Sequence, residues 1–303
     1  MSYHYTFKDV LERSERVTWR VEDLIGGEKR LDFARPFIPE SLARVQGLDF
    51  LSGREKKVLN QIRGHAYLRI FGVVEKFILP FVLDHARTII NDDDYRIRAY
   101  LEFAGEEAKH IQLFHRFAEA FASGFGTPCD VIGPGAAIAK EVLSHHPLSV
   151  ALVILQIEWM TQRHFVDSVH DDQSLDPCFK DMLKHHWMEE MQHAQLDGLM
   201  VEALASSMSR AEIDAAIEGY WAIGAFIDDG LKQQTEFDGA ALEDAMGRTL
   251  SGEERRRFAE VQLQANRWTY LGSGMSHPKF IEAMGALSQD KKQKLLGAIP
   301  MFS

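Results

Sequence analysis

Apolar residues recur three and four positions apart through most of this chain and seldom alternate strictly, so the sequence predicts helices almost throughout. A short helix is expected over 6–18, followed by a long loop with short turns through Pro36, Pro39 and Gly47. Ser52 can cap the next helix, because its hydroxyl accepts a free first-turn amide hydrogen and Glu55 sits three residues on. That helix is expected over 53–90. Pro80 would kink or divide it, since proline lacks the amide donor and crowds the preceding turn. A second long helix starts near Asp92-Asp93-Asp94, where carboxylates suit the positive helix end, and runs to about Ser123. GFGTPCDVIGPG, residues 124–135, is poor helix material and leads, through a short turn, to a third helix over 146–170. Asp176-Pro177 opens a fourth that ends near Ser206, with aspartate capping and proline in the first turn.

Four long helices within 53–206, the middle connection longest, suit a bundle. Beyond it, 210–235, 238–248, 251–271 and 277–297 read as further helices starting at residues such as Ser209 and Ser251. No flexible linker of useful length sets them apart, so 1–303 is expected as a single domain with this tail packed on the bundle.

Composition narrows the function. With 46% hydrophobic and 26% charged residues the chain has an ordinary globular profile. A formal charge of -11 argues against a nucleic-acid backbone binder, which needs a basic stripe. The most apolar windows, 71–83 and 148–160, are too short for membrane spans and are interrupted by charge. The start lacks the basic and apolar regions of a secretory signal, and Cys129 and Cys178 have no ligand or disulfide spacing, so a reduced cytoplasmic location is expected.

Each of those two apolar windows holds one glutamate, Glu75 and Glu158. Burying a carboxylate among Phe71, Val74, Ile78 and Leu79, or among Ile154, Leu155, Ile157 and Met160, is costly unless it is neutralised, paired or metal-bound. Two Glu-x-x-His elements, Glu107–His110 and Glu190–His193, each place a carboxylate and an imidazole on one helix face. In a chain with 13 histidines one such pair is weak evidence. Their company is stronger evidence: Glu75 precedes Glu107 by the same interval, 32 residues, as Glu158 precedes Glu190. A glutamate helix followed by a Glu-x-x-His helix, twice over, is the ligand pattern of a dimetal centre between four helices. The expected fold is therefore all-α, a ferritin-like four-helix bundle core with additional N- and C-terminal helices. His186 adds a seventh candidate, since 186, 190 and 193 share a face while His185 points elsewhere. Glu106 and Glu189 compete with their neighbours, although helix phase favours Glu107 and Glu190. Carboxylates and imidazoles suit Fe(II) or Mn(II) better than a thiolate-selective metal.

The set Glu75, Glu107-x-x-His110, Glu158 and His186-x-x-x-Glu190-x-x-His193 resembles that of the dinuclear iron arylamine N-oxygenases, the family of p-aminobenzoate N-oxygenase. The resemblance covers the bundle, about half the chain. It implies six common ligands, Glu75, Glu107, His110, Glu158, Glu190 and His193, with His186 as the extra histidine. It also implies two iron ions, with manganese possible, dioxygen as co-substrate, an external electron donor and a homodimer. The reaction it implies is oxidation of an aromatic amine through hydroxylamine-like stages toward a nitro compound. The alternatives are a dimetal oxidase or oxygenase acting on another small apolar substrate, and a non-enzymatic metal-storage or scaffold bundle.

Tyr67, Phe71, Phe103, Phe114 and Trp159 could line a substrate pocket, though bundle cores are normally filled with such rings. In YLGSGMSHPKF, 270–280, the glycines permit a tight turn and His277-Pro278 can start a helix. His145-His146 before Pro147 reads as another helix entrance.

Overall fold

The computed structural model describes residues 5–91 and 93–303. Asp92, part of the acidic run expected at a helix start, lies outside them, as does the beginning of the chain. Helix α1, Phe7–Ser14, precedes a long irregular segment that carries the short α2, Glu40–Ala43. Four long helices follow: α3, Gly53–Thr88, and α4, Asp94–Phe125, then, beyond the shorter α5, Gly135–Leu143, α6, Pro147–His164, and α7, Pro177–Ala205. α3 packs on α4, α6 on α7, and α4 meets α7, which gives an all-α, ferritin-like four-helix bundle core. α8, Arg210–Met246, lies across α3 and α6, and α9, Gly252–Arg267, packs against it. The short α10, Ser273–Met275, then α11, Pro278–Leu287, and α12, Gln289–Ala298, complete the C-terminal additions. Among the described residues the only β feature is one bridge between Gly26 and Lys29. No described helix is long and apolar enough to cross a membrane.

The local signals act as their chemistry demands. Ser52 accepts the Glu55 amide while Glu55 accepts the Ser52 amide, and Asp176 caps α7 through the Phe179 amide. His146 accepts the Leu148 amide at the entrance of α6, and His277 does the same for Lys279 at α11. Pro80 does not divide α3, which continues through it. The third long helix ends at His164 and gives way to a wide π-type turn over Phe165–Val169. The helix α5 forms between the 124–135 connection and α6, where no element was expected.

The segments 210–235 and 238–248 are one helix, and 277–297 is divided at Ser288, the reverse of the expected pattern. Glycine in α8 serves close approach, not interruption: a Cβ on Gly239 would stand 3.1 Å from the Phe258 ring. Ser288 stops α11 because its hydroxyl caps α12 through the Lys291 amide. Gly272 and Gly274 likewise lie in helical backbone, not in a tight turn. A Cβ on Gly274 would fall 2.5 Å from the Gln156 carbonyl oxygen on α6. Gly274→Ala is therefore expected to destabilise the chain by about 1–3 kcal/mol in denaturant unfolding, the usual cost of overpacking. Gly252→Ala, in open space at the start of α9, serves as the neutral control.

Candidate metal centre

The seven candidates come from the four bundle helices: Glu75 from α3, Glu107 and His110 from α4, Glu158 from α6, and His186, Glu190 and His193 from α7. None is more than 2% exposed. Donor atoms of Glu75, His110, His186 and Glu190 lie within 4.8 Å of one another, and so do those of Glu107, His110, Glu190 and His193. Glu190 is the hub. One of its oxygens is 2.7 Å from His186 Nε2 and 3.2 Å from His110 Nδ1, and the other is 3.3 Å from His193 Nδ1. Glu107 approaches His193 Nδ1 to 2.8 Å. Glu158 bonds Glu190, and Glu75 bonds Glu107.

Protons now do the work of cations. Burial and the charges of Glu107 and Glu190 push Glu75 well above the ordinary carboxylate range, and burial with Glu190 does the same to Glu158. Burial opposes ionisation of Glu107, but hydrogen bonds from Glu75 and the charge of His193 hold it down at about 2. Glu190 is likewise held low against burial by His186 and His193. Burial also opposes a charge on His110, yet hydrogen bonds to Glu107 and Glu189 raise it to about 10. His193 rises against burial through Glu190 and Glu107. Burial and these pairings thus favour protons on Glu75, Glu158, His110 and His193, which offset the charges of Glu107 and Glu190.

Whether metal ions fit can be tested on unsatisfied atoms. Glu75 Oε2 and Glu158 Oε2 are buried without a hydrogen-bond partner, while the Glu107 oxygens, Glu190 Oε1, His110 Nδ1 and His186 Nε2 crowd one another at ion-pair distance without a well-aligned hydrogen bond. Buried polar atoms are nearly always well paired, so such a set facing one point calls for a missing partner. Four carboxylates match the charge of two divalent ions, and hard oxygen with neutral imidazole suits iron or manganese. The two buried Glu/His clusters can accordingly hold a di-iron or Mn/Fe pair.

Glu106 and Glu189 are not stand-ins for their neighbours; they cross to the opposite helix. Glu106 accepts from His193 Nε2 at 2.8 Å, and Glu189 from His110 Nε2 at 2.9 Å. Each Glu-Glu doublet therefore sends one carboxylate to the centre and the next, about 100° round the helix, to the outer nitrogen of the partner helix's histidine. Ser14 Oγ donates to Glu106 at 2.6 Å, while Lys109 Nζ pairs with Glu189. Trp19 stacks on His110 with ring centroids 6.1 Å apart. His185 faces away, bonded to the Asp181 carbonyl. Outer carboxylates fix a histidine's tautomer and raise its basicity, so Glu189→Gln is expected to weaken metal binding by about 10–100-fold in a chelator competition. A change below about threefold would remove Glu189 from that role.

Of the aromatic candidates, Phe103 packs on His193, and Phe71 and Phe114 meet His186 edge-on. Trp159 instead stacks on His277. Phe71 also lines a cavity of about 470 Å³ between α3, α5, α6 and α8, whose wall includes Val74, Ile157, Met160, Phe226 and Tyr270.

No family model matches the chain, and no curated protein matches it. Solved structures similar to it are R2-like ligand-binding oxidases. A mutant with an aerobically reconstituted Fe/Fe cofactor has a TM-score of 0.49 and 14% identity, over 88% of this chain and 93% of that one. A Mn/Fe-reconstituted mutant has a TM-score of 0.49 and 15% identity, over 88% and 97%. The protein with aerobically reconstituted Mn/Fe cofactor after a long soak has 0.48 and 14%, over 88% and 93%. The expected resemblance to arylamine N-oxygenases is corrected here: the solved structures similar to this chain are R2-like ligand-binding oxidases. The reason is physical: ligand spacing specifies how helices present donors to metals and carries no information about the molecule bound beside them.

Proposed function

We propose that this chain is a dioxygen-activating, non-haem dimetal oxidase or oxygenase whose substrate is a small apolar molecule. The observation that carries the reading is the convergence of buried carboxylates and imidazoles from α3, α4 and α7 on two shared points, with Glu158 of α6 set against Glu190. Glu75, Glu107, His110, Glu158, His186, Glu190 and His193 are the proposed ligands. A bound di-iron or Mn/Fe pair would supply the redox chemistry that dioxygen requires.

The chain's own residues set the conditions. Glu106 and Glu189 hold His193 and His110 by their outer nitrogens, so both rings are aimed before metal arrives. Val74 and Ile157 line the cavity immediately beside Glu75 and Glu158, and Phe71 joins its wall to His186. The largely apolar wall of the cavity selects for apolar surface. An external reductant would return the centre to its reduced state after each cycle.

Metal analysis of the purified chain is expected to give two ions per chain, and the reduced iron form should consume dioxygen repeatedly when supplied with a reductant and an apolar substrate. Met160→Trp, which narrows the cavity, should lower turnover by about tenfold or more with metal content unchanged. Two bound metals without dioxygen consumption would replace this reading with storage.

A further inference from the structure

The two outer carboxylates make matching bonds to their histidines but meet unlike partners on the far side. Glu189 holds His110 Nε2 at 2.9 Å and is itself paired with the Lys109 ammonium. Glu106 holds His193 Nε2 at 2.8 Å and takes a neutral hydrogen bond from Ser14 Oγ at 2.6 Å. Among the described residues Lys109 is the only lysine or arginine in ion-pair contact with Glu75, Glu106, Glu107, Glu158, Glu189 or Glu190. It is held there. Its Nζ stands 4.0 Å from the centroid of the Trp19 ring, the same ring that stacks on His110. The Lys109 side chain is 24% exposed and that of Glu189 not at all, so the pair is screened far less than a surface salt bridge.

A carboxylate behind a ligating imidazole draws the ring proton outward and strengthens the inner nitrogen as a donor. It does so as an anion. Glu106 keeps its charge because the Ser14 hydroxyl brings none, whereas the charge of Glu189 is offset by Lys109. We propose that Lys109, acting through Glu189, weakens His110 as a ligand, so that the metal ion beside His110 is bound less tightly and is harder to oxidise; the proposal rests on the reading of the centre given above. Two effects act in that one direction: the ammonium repels a metal cation directly, and it removes the charge that would make His110 a stronger donor.

A lysine that served only to anchor Glu189 would act with the opposite sign. Glu189 is fully buried, and losing its anchor would leave the carboxylate unpaired on that side and His110 poorly aimed, so metal would bind more weakly. Tuning by charge predicts tighter binding when the same charge is removed. The sign of one measurement therefore separates the two roles.

The test is Lys109→Gln, which keeps an amide donor for Glu189 and drops the charge, with Lys109→Met, which fills the space of the lysine stem under Trp19, reading the same sign if the amide disturbs folding. Each chain is titrated without oxygen with Co(II), and with Fe(II) against a competing chelator, and the potential of the iron-loaded form is measured by spectroelectrochemistry. Lys109→Gln is expected to bind one of the two ions about tenfold more tightly. Its potential should fall by about 59 mV, the one-electron equivalent of a tenfold gain of Fe(III) over Fe(II). Lys109→Arg should restore the parent values. Lys8→Gln, which removes the same charge from the exposed face of α1, should leave both at the parent values. Weaker binding or a higher potential in Lys109→Gln makes the lysine an anchor and overturns the inference, as does a change below about twofold, and either leaves the proposed function standing. A chain that binds metal with the expected shifts but consumes no dioxygen ends the proposed function and supports this inference; a chain that binds neither ion overturns both.

Discussion

Replacing Glu75 and Glu158 together by leucine is expected to abolish two-metal binding and, at the same time, to lower the stability of the metal-free protein. The two outcomes have one cause. Each carboxyl is buried and faces a second carboxylate, Glu107 or Glu190, that its hydrogen bond helps to hold low against burial. Removing one member of such a pair leaves the other without that partner, at a cost of about 1–3 kcal/mol for each group. With roughly 2–4 °C of melting temperature per kcal/mol for a chain of this order of size, a fall of several degrees should be visible by calorimetry. The parent chain should gain further stability from metal, about 4 kcal/mol at a free concentration a thousandfold above the dissociation constant. The double variant should show no such gain. If it still binds two ions, these carboxylates do not ligate and the proposed centre is wrong.

The glutamates stood out in the sequence for the reason they should matter in that experiment: they interrupt surfaces that packing alone would make apolar. The four bundle helices were legible because capping and amphipathic spacing are local. Ser52 and Glu55 carry their boundary within four residues, and so do Asp176 and Phe179. The helix period also placed His186, Glu190 and His193 together without any knowledge of the partner helices. What failed was information held elsewhere in the fold. Pro80 and the α8 glycines have the composition of breaks, but long-range packing against neighbours such as Phe258 overrides that local weakness. Glu106 and Glu189 looked like rivals of Glu107 and Glu190 because their use depends on which helix stands opposite. The doubling of glutamate before each x-x-His was the available signal. Ser14 and Lys109 bond Glu106 and Glu189, and Trp19 stacks on His110, through contacts that only the tertiary fold makes, so spacing could not assemble that set.

The protons that offset charge in the metal-free site should leave when metal enters. Glu75 and Glu158 are held above the carboxylate range and His110 and His193 above the imidazole range, so all four are protonated near neutral pH. Metal ligands must be deprotonated. Loading two divalent ions is therefore expected to release about four protons per chain, read as the dependence of titration heat on buffer ionisation enthalpy. The sign follows directly: each group has a raised value without metal, so protons compete with metal below that value and affinity climbs as pH rises. For His110 the competition persists up to about 10, which leaves apparent affinity still increasing through the alkaline range instead of levelling off above neutrality. Salt-bridged surface carboxylates would give the opposite result, with no proton uptake to reverse and an affinity flat above about pH 5. Proton release near zero with two ions bound would mean that the imidazoles and the inner carboxyls do not ligate, and the charge balance proposed for this centre would have to be abandoned.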